Sequence, residues 1–497
     1  MSSSKRVTFN ITVSTIAQII TLALGLILPR IILVSWGSEY NGLINSVTTI
    51  MRYMALLEAG VSTSTLQALY KSIGNNDVEK TSVIVRSSQR YYHRVALIYG
   101  LLVVVISFVY PLFLKTSIAY WEIVIVILLQ GCTGVINFSF RAAYQQLLNA
   151  EGKYYIISLL TLCTTVLTYA SKIISIIVFN SIIVMQILGV VVMGLQVIAY
   201  AVYFHKKYAW LKRNVEVDMS LLENRRYYIV QQIAGLVFNS TDTIVLSVFC
   251  GLKVASVYTV YNMVYSALAA LIGILRNSTN FVLGQSYHKS ISLFERIYGI
   301  YTSFQASLGC FLASCSVVLI SGFVKLYTSG VEDINYINYA AAILFSISIM
   351  LDCARGASLA GANVAGRAPT TTWRYVVEAG INLAVSLFLV NIIGMNGVLI
   401  GTVVAGLWRS IDSIYYFNHN ILKKSAVKEL VLMGLRFAVF AIYAVLGRIV
   451  NLTMQSYSQF FLWGILITCS SGVLFGIVFF IENRIHPRAI LSYVKHE

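Results

Sequence analysis

Residues 140–155 read FRAAYQQLLNAEGKYY, and residues 354–369 read ARGASLAGANVAGRAP. Set 214 positions apart, Arg141, Asn149, Gly152 and Lys153 fall on Arg355, Asn363, Gly366 and Arg367. The same lag carries Gly37 onto Gly251 far upstream and His205 onto His419 far downstream. One shared position is chance. A lag kept from Gly37 to His205 reads as an internal repeat, and repeats decide architecture.

The composition says what is repeated. Of 497 residues, 58% are hydrophobic and only 11% charged, against about 25% charged in a soluble domain. The mean hydropathy is +0.78. Four prolines occur in the chain, and no stretch reads as a linker or low-complexity tail. The polar start MSSSKRVTFN runs straight into an apolar stretch, which reads as a retained first helix rather than a cleaved signal.

A membrane-spanning helix needs about twenty apolar residues. That length predicts spans at 11–34, 42–66, 95–114, 121–147, 156–179, 181–204, 229–250, 254–283, 297–322, 337–361, 370–392, 396–418, 430–450 and 459–481. The fold class expected is therefore all-α and integral to a membrane, with about fourteen spans. The repeat covers spans 1–6 and 7–12. Each unit has an even number of spans, so both enter from the same side, as a parallel repeat does. The expected domains are an N-terminal lobe at 1–204, a cytoplasmic linker at 205–228, a C-terminal lobe at 229–419, and two added helices with a tail at 420–497.

The net charge of +17 is mostly topology. With a cytoplasmic N-terminus, 23 of the 36 Lys and Arg residues fall on cytoplasmic segments. Only Lys115, Lys253, Lys325 and Arg448 fall on the opposite side. The positive-inside rule then places both ends in the cytoplasm. This accounts for the basicity without nucleic acid, and no nucleic-acid module is present. The seven cysteines all lie in apolar runs without a C-x-x-C, so they read as small buried hydrophobes. No metal spacing appears. Residues 76–94 read as an amphipathic helix on the cytoplasmic leaflet or in a solvated loop. Asn76 and Glu79 suit a capping box there, and Arg86, Arg90 and Arg94 recur every four residues.

Ionisable residues inside spans are costly and usually functional. The basic ones are Arg30, Arg52, Arg141, Lys172, Arg276, Arg355, Arg374, Arg409 and Arg436. The acidic ones are Glu58, Asp242, Asp352, Glu378 and Asp412, which leaves an excess of +4. Spacing pairs Asp352 with Arg355, Arg374 with Glu378, and Arg409 with Asp412 on single helix faces. Arg141, Arg436 and Lys172 sit near span ends, where snorkelling to the headgroups accounts for them. Arg52 and Arg276 remain as deep cations without an acidic neighbour on their own helix, with Arg30 close behind. Arg276 shares a helical face with Tyr258, Asn262 and Tyr265. Such a face suits a wet cavity: Tyr and Asn for sugar hydroxyls, Arg for bidentate phosphate. Glu58 and Asp242 either balance these charges or carry a coupling ion.

The stretch PRIILVSWGSEYNGLINSVTTIMRYMALLEAGVSTSTLQALYKSIGNND (29–77) resembles the first two helices of bacterial oligosaccharide flippases. The shared features are an arginine late in helix one, G-x-E-Y-x-G-L, L-x-E-x-G and L-Y-K. FNSTDTIVLSVFCGLKVASVYTVYNMV (238–264) resembles the start of that family's second half, and 140–155 fits more loosely. The family is the polysaccharide-transport branch of the multidrug/oligosaccharidyl-lipid/polysaccharide (MOP) exporter superfamily, which includes Wzx-type O-antigen, capsule and teichoic-acid flippases. The second block departs from it near Gln231 and Gln232, where a basic residue is expected.

The resemblance implies a MATE/MOP-like fold of two six-helix lobes with two further helices. It also implies movement of undecaprenyl-pyrophosphate-linked oligosaccharide across the bacterial cytoplasmic membrane by alternating access. The motif supports Arg30 directly as a cavity residue. The partners implied are the lipid-linked substrate, the bilayer, and polysaccharide polymerase and assembly proteins. No cofactor is implied; the energy would come from a proton or sodium gradient or the membrane potential. The rivals are a MATE-like drug or metabolite antiporter, expected to have an acidic cavity, and a membrane glycan enzyme or scaffold. The longest outer loop, about 323–336, is short for such an enzyme.

Overall fold

The computed structural model describes residues 3–58, 61–74, 77–151, 153–212, 215–218, 226–365, 367–451 and 456–483. Among them every regular element is helical. Asn76, Gly152, Gly366, Arg484, Arg488 and Lys495 lie outside the described residues. A chain in hydrocarbon must satisfy its peptide groups internally, and helices do this within one segment.

The first compact unit is Met1–Ser256. It holds α1 (Ser3–Met54), α2 (Val61–Gly74), α3 (Val78–Val109), α4 (Tyr120–Phe140), α5 (Ala142–Ala150), α6 (Tyr154–Ile174), α7 (Ile182–Lys207), α8 (Arg226–Phe249) and the first turn of α9 (Leu252–Lys289). α8 packs against α1 inside this unit. Asn41 Nδ2 donates to Ser256 Oγ at 2.7 Å, and Tyr110 and Ser247 share a hydroxyl bond of 2.7 Å. Gly42 permits the approach, since a Cβ there would stand 2.0 Å from the Leu252 carbonyl oxygen.

The second unit is Val257–Glu497. It holds the rest of α9, then α10 (Ile291–Tyr327), α11 (Tyr339–Val364), α12 (Ala368–Ile393), α13 (Met395–Tyr416), α14 (Val427–Asn451) and α15 (Tyr457–Asn483). Its core packs α11 against α10 and α13, with α14 and α15 against α10.

Eleven helices among the described residues are long and apolar enough to cross a membrane. They match eleven of the fourteen expected spans, and the protein is a multi-pass membrane protein. Of the other three expected spans, 11–34 falls on α1, which is broken at Gly37 (φ 81°), and 229–250 on α8, while 42–66 is not one helix but runs from the end of α1 through the 3-10 turn Ala55–Glu58 into α2. These are also helical, but polar: α1 carries Arg30, Glu39 and Arg52.

The repeat is visible in main-chain geometry. Gly37 and Gly251 both have positive φ, and so do Asn180 and Gly394, again 214 apart. Lys153 N donates to Leu148 O at 2.9 Å, and Arg367 N donates to Ala362 O at 2.9 Å. Glu151 N to Leu147 O and Ala365 N to Gly361 O form the matching second pair. Such doubly bonded helix ends absorb the last orphan carbonyls. α6 and α12 then start at equivalent positions, Tyr154 and Ala368.

Two local expectations are corrected. Residues 78–94 are not a separate surface helix but the first turns of α3, continuous to Val109. Thr81, Ser82, Ile84, Val85, Ser87, Ser88 and Tyr92 are buried there, so this face is packed against protein. The cap is Asp77, whose side chain accepts from Lys80 N at 2.9 Å, one residue on from the expected box. All seven cysteines are free, but only Cys310 and Cys353 are fully buried; Cys132, Cys163 and Cys469 lie on outward helix faces. Among the described residues no cluster could hold a metal.

Candidate functional site

Seven ionisable side chains from four helices of the second unit form one alternating chain. Arg276 on α9 places Nη2 2.9 Å from Asp352 Oδ2 on α11. Asp352 Oδ1 also meets Arg355 Nε at 3.4 Å. Arg355 reaches across to Glu378 on α12, whose other oxygen faces Arg409 Nε on α13 at 3.5 Å. Arg409 Nη1 meets Asp412 at 3.2 Å, and Asp412 meets Arg374 Nε at 2.8 Å. The order is Arg276, Asp352, Arg355, Glu378, Arg409, Asp412, Arg374. Four guanidiniums alternate with three carboxylates, which leaves a charge of +1.

Local sequence explains how each member arrives. Arg276 passes close over Gly356, where a Cβ would sit 2.5 Å from Gln305 Oε1 and 2.8 Å from Arg276 Nη2, so a larger residue would displace these side-chain ends. Its Nη2 also donates to the Asp352 carbonyl at 3.3 Å. Arg409 lies over the Tyr375 ring at 4.5 Å, and Arg374 over Tyr416 at 4.2 Å. These aromatic faces give the guanidiniums partial compensation where water is scarce. The chain is graded in exposure. Arg409 is 1% exposed and Glu378 6%, whereas Asp352 is 37% and Arg276 24% exposed. It is sealed at its centre and open at the Arg276–Asp352 end.

Spacing foresaw the Asp352–Arg355 and Arg409–Asp412 contacts. It assigned Arg374 to Glu378; instead Arg374 takes Asp412, and Glu378 serves Arg355 and Arg409. Arg276 has an acidic partner after all, supplied by a different helix. Arg436 does not snorkel but meets Glu482 of α15 at 2.5 Å. The sequence signal for this site was the clustering of seven intramembrane charges between 276 and 412.

The Tyr258–Asn262–Tyr265 face does not stay open as expected. Tyr258 and Tyr265 are buried, with ring centroids 5.3 and 4.8 Å from that of Phe345. The Tyr265 hydroxyl bonds Ala342 O and Ser346 Oγ at 3.0 and 2.9 Å. Asn262 is half-buried and accepts from Ser266 at 3.4 Å. Aromatic packing on one phenylalanine outweighs the polarity that suggested a wet face.

Arg30, Arg52, Glu58 and Asp242 belong to the first unit. Arg52, in the last turn of α1, is exposed and has no hydrogen bond or ion pair among the described residues. Arg30 is half-buried and engaged. Glu58 ends a 3-10 turn, Ala55–Glu58, within electrostatic reach of Arg141. Arg141 donates to Asn137 Oδ1 at 2.6 Å and to Gln196 Oε1 at 2.5 Å, so it turns inward rather than to the headgroups. Asp242 is buried on α8 beside Tyr53. Lys172 is half-buried in the last turn of α6.

The fold has solved counterparts. The chain superposes on a lipid II flippase MurJ in an inward closed conformation with a TM-score of 0.70, at 14% identity, over 94% of this chain and 99% of that one. It superposes on an inward-facing multidrug resistance MATE family transporter of the MOP superfamily with a TM-score of 0.64, at 15% identity, over 80% of this chain and 94% of that one. An outward-facing MATE transporter gives 0.58 at 15% identity, over 83% and 96%. No protein-family profile matches the sequence, and a search of curated proteins finds no relative. The protein therefore shares the fold of these MATE and MurJ structures.

Proposed function

We propose that the protein is a flippase for undecaprenyl-pyrophosphate-linked oligosaccharide, acting by alternating access in the bacterial cytoplasmic membrane with both termini in the cytoplasm. The observation that carries this reading is the cation excess left after pairing. Arg52 has no acidic partner among the described residues, and the seven-member chain keeps four guanidiniums for three carboxylates. A pyrophosphate is a substrate such an excess serves, because a buried anion needs a nearby cation to offset its desolvation. The fold likeness extends over more of the chain for the lipid II flippase than for the MATE transporter, 94% against 80%.

The open end of the chain supplies a mechanism. Asp352 is held by two arginines. A phosphate approaching Arg276 takes that guanidinium bidentately while Arg355 keeps Asp352 neutralised. No carboxylate is stranded at any stage, so capture and release are exchanges of partner. Arg30 and Arg52 are the first unit's own candidate contacts for phosphate. Glu58 and Asp242 are the carboxylates available for a coupling proton or sodium ion.

The test is reconstitution in liposomes with fluorescent lipid-linked oligosaccharide, read by its accessibility to an outside reagent. Transport that tolerates neutral lipids but requires the pyrophosphate bears the proposal out. Equal transport of an organic cation with no movement of the lipid-linked sugar sinks it in favour of an antiporter. Ionophores selective for protons or sodium identify the driving gradient.

A further inference from the structure

The first unit carries a basic cavity that the transport reading does not use. Arg86, Gln89, Arg90 and His93 repeat at helical spacing on one face of α3. The end of α7 and the segment after it bring His205, Lys206 and Lys212 opposite. Two adjoining clefts, about 860 and 590 Å³, share Arg86, Gln89 and Tyr144 in their walls. Together they collect three arginine and lysine side chains from separate segments with Arg90 and two histidines, and no wall residue is acidic.

The clefts are built rather than incidental. Lys212 N donates to Ser82 Oγ at 3.1 Å and Asp218 N donates to Ser87 Oγ at 3.0 Å, which ties the described part of the linker onto α3. Tyr144, Phe204 and Tyr208 stack in sequence at 4.2 and 4.5 Å and form an aromatic floor. Glu151 accepts from the Tyr208 hydroxyl and pairs with Lys153 at 2.6 Å, fixing that floor from behind. Of the four cleft cations, Lys212 has an acidic contact, Glu79 at 3.6 Å with both side chains exposed. Arg86 has only a weak contact with Gln89 at 3.4 Å, and Arg90 has no ion pair among the described residues.

We propose that these clefts bind a phosphate group at the membrane face which the distribution of basic residues makes cytoplasmic. Arg86 and Arg90 present guanidinium forks one turn apart, and Lys206 with Lys212 close the opposite wall. Guanidinium forks match phosphate oxygens bidentately, and basic pockets beside spanning helices recognise anionic headgroups. The aromatic floor and the apolar wall of Val85, Val202 and Leu211 suit the glycerol and first methylenes of a phospholipid. An anionic phospholipid headgroup is the favoured source of the phosphate; a soluble phosphoanion shares the chemistry. The site is independent of which cargo is transported.

The experiment uses the full chain in phosphatidylcholine nanodiscs with and without phosphatidylglycerol, with bound lipid read by native mass spectrometry. Wild-type protein and Lys80→Gln, which removes a charge from the same helix outside the clefts, retain phosphatidylglycerol. Arg86→Gln with Arg90→Gln weakens its retention about 25-fold, from roughly fivefold per surface cation. Inorganic pyrophosphate that displaces the lipid confirms recognition of the phosphate itself. Pyrophosphate bound without enrichment of the lipid assigns the soluble source. Retention by the double variant equal to wild type, or an equal loss in Lys80→Gln, overturns the proposal. If the double variant does not accumulate, phenylglyoxal footprinting of wild type decides: phosphatidylglycerol or pyrophosphate protects Arg86 and Arg90, and absence of protection overturns it.

Discussion

Glu378 Oε2 stands 3.5 Å from Arg409 Nε, and the two side chains are 6% and 1% exposed. The same carboxylate holds Arg355 with its other oxygen. One acid thus faces two guanidiniums at the sealed centre of the chain, where water offers little help. Its removal should be the most damaging single change in the second unit.

Glu378→Gln should destabilise the protein by about 3–5 kcal/mol, the cost of leaving buried charge uncompensated. Thermal melting in detergent measures it. Glu378→Leu combined with Arg409→Leu should cost less than Glu378→Leu alone, because the double change removes charge from both sides. A double variant less stable than the single one would refute the pairing.

Arg52 and Arg276 should separate folding from transport. Arg52→Ala should melt like wild type, since the side chain has no partner among the described residues to lose. It should nonetheless lower surface polysaccharide by an order of magnitude, about 1.4 kcal/mol of lost anion binding. Arg276→Ala should lower both, because Asp352 then depends on Arg355 alone. Normal export by both variants at normal protein level would remove the arginines from the mechanism.

Gly42→Ala should be poorly tolerated, at about 1–3 kcal/mol, because the added Cβ meets a main-chain carbonyl that cannot rotate away. Gly189→Ala provides the control, with nothing within 4 Å of its added carbon. Comparable melting temperatures for the two would show that α9 does not press on α1 at this point.

Glu39, between the first two expected spans, gives a pH dependence. Burial raises its carboxyl pKa, but bonds from Thr116 and Ser117 and the charge of Lys253 outweigh this and leave it below the ordinary range. A lowered folded value means stability present above the unfolded pKa of about 4.3. That stability disappears as pH falls through the folded value. Wild type should therefore exceed Glu39→Gln in stability by a constant amount above about pH 5. The gap should close on acidification. A gap that widens in acid would reverse the sign.

The fold was largely legible because hydropathy reports directly on lipid burial. Where spans carry working charges, as α1 does with Arg30 and Arg52, the same index weakens. The charge chain was only half legible. Spacing along one helix sees Asp352 with Arg355, but it cannot see that Arg374 meets Asp412 from the neighbouring helix. The partner of Arg276 was hidden for the same reason, and its route depends on an absent side chain at Gly356. Tyr258 and Tyr265 misled because helical periodicity gives direction without naming the neighbour, and that neighbour was Phe345.

The matched positive-φ corners, Gly37 with Gly251 and Asn180 with Gly394, bear on ancestry. Side chains along the helices have drifted until few equivalent positions agree, yet the corners keep their positive φ at one constant offset. Tandem duplication of a half-length gene leaves such a record. Mutation erodes lipid-facing residues freely, because many apolar side chains serve equally well. A corner admits few substitutes, so it outlasts the walls it joins. Relatives too divergent to align by residue should still be traceable by where their chains turn.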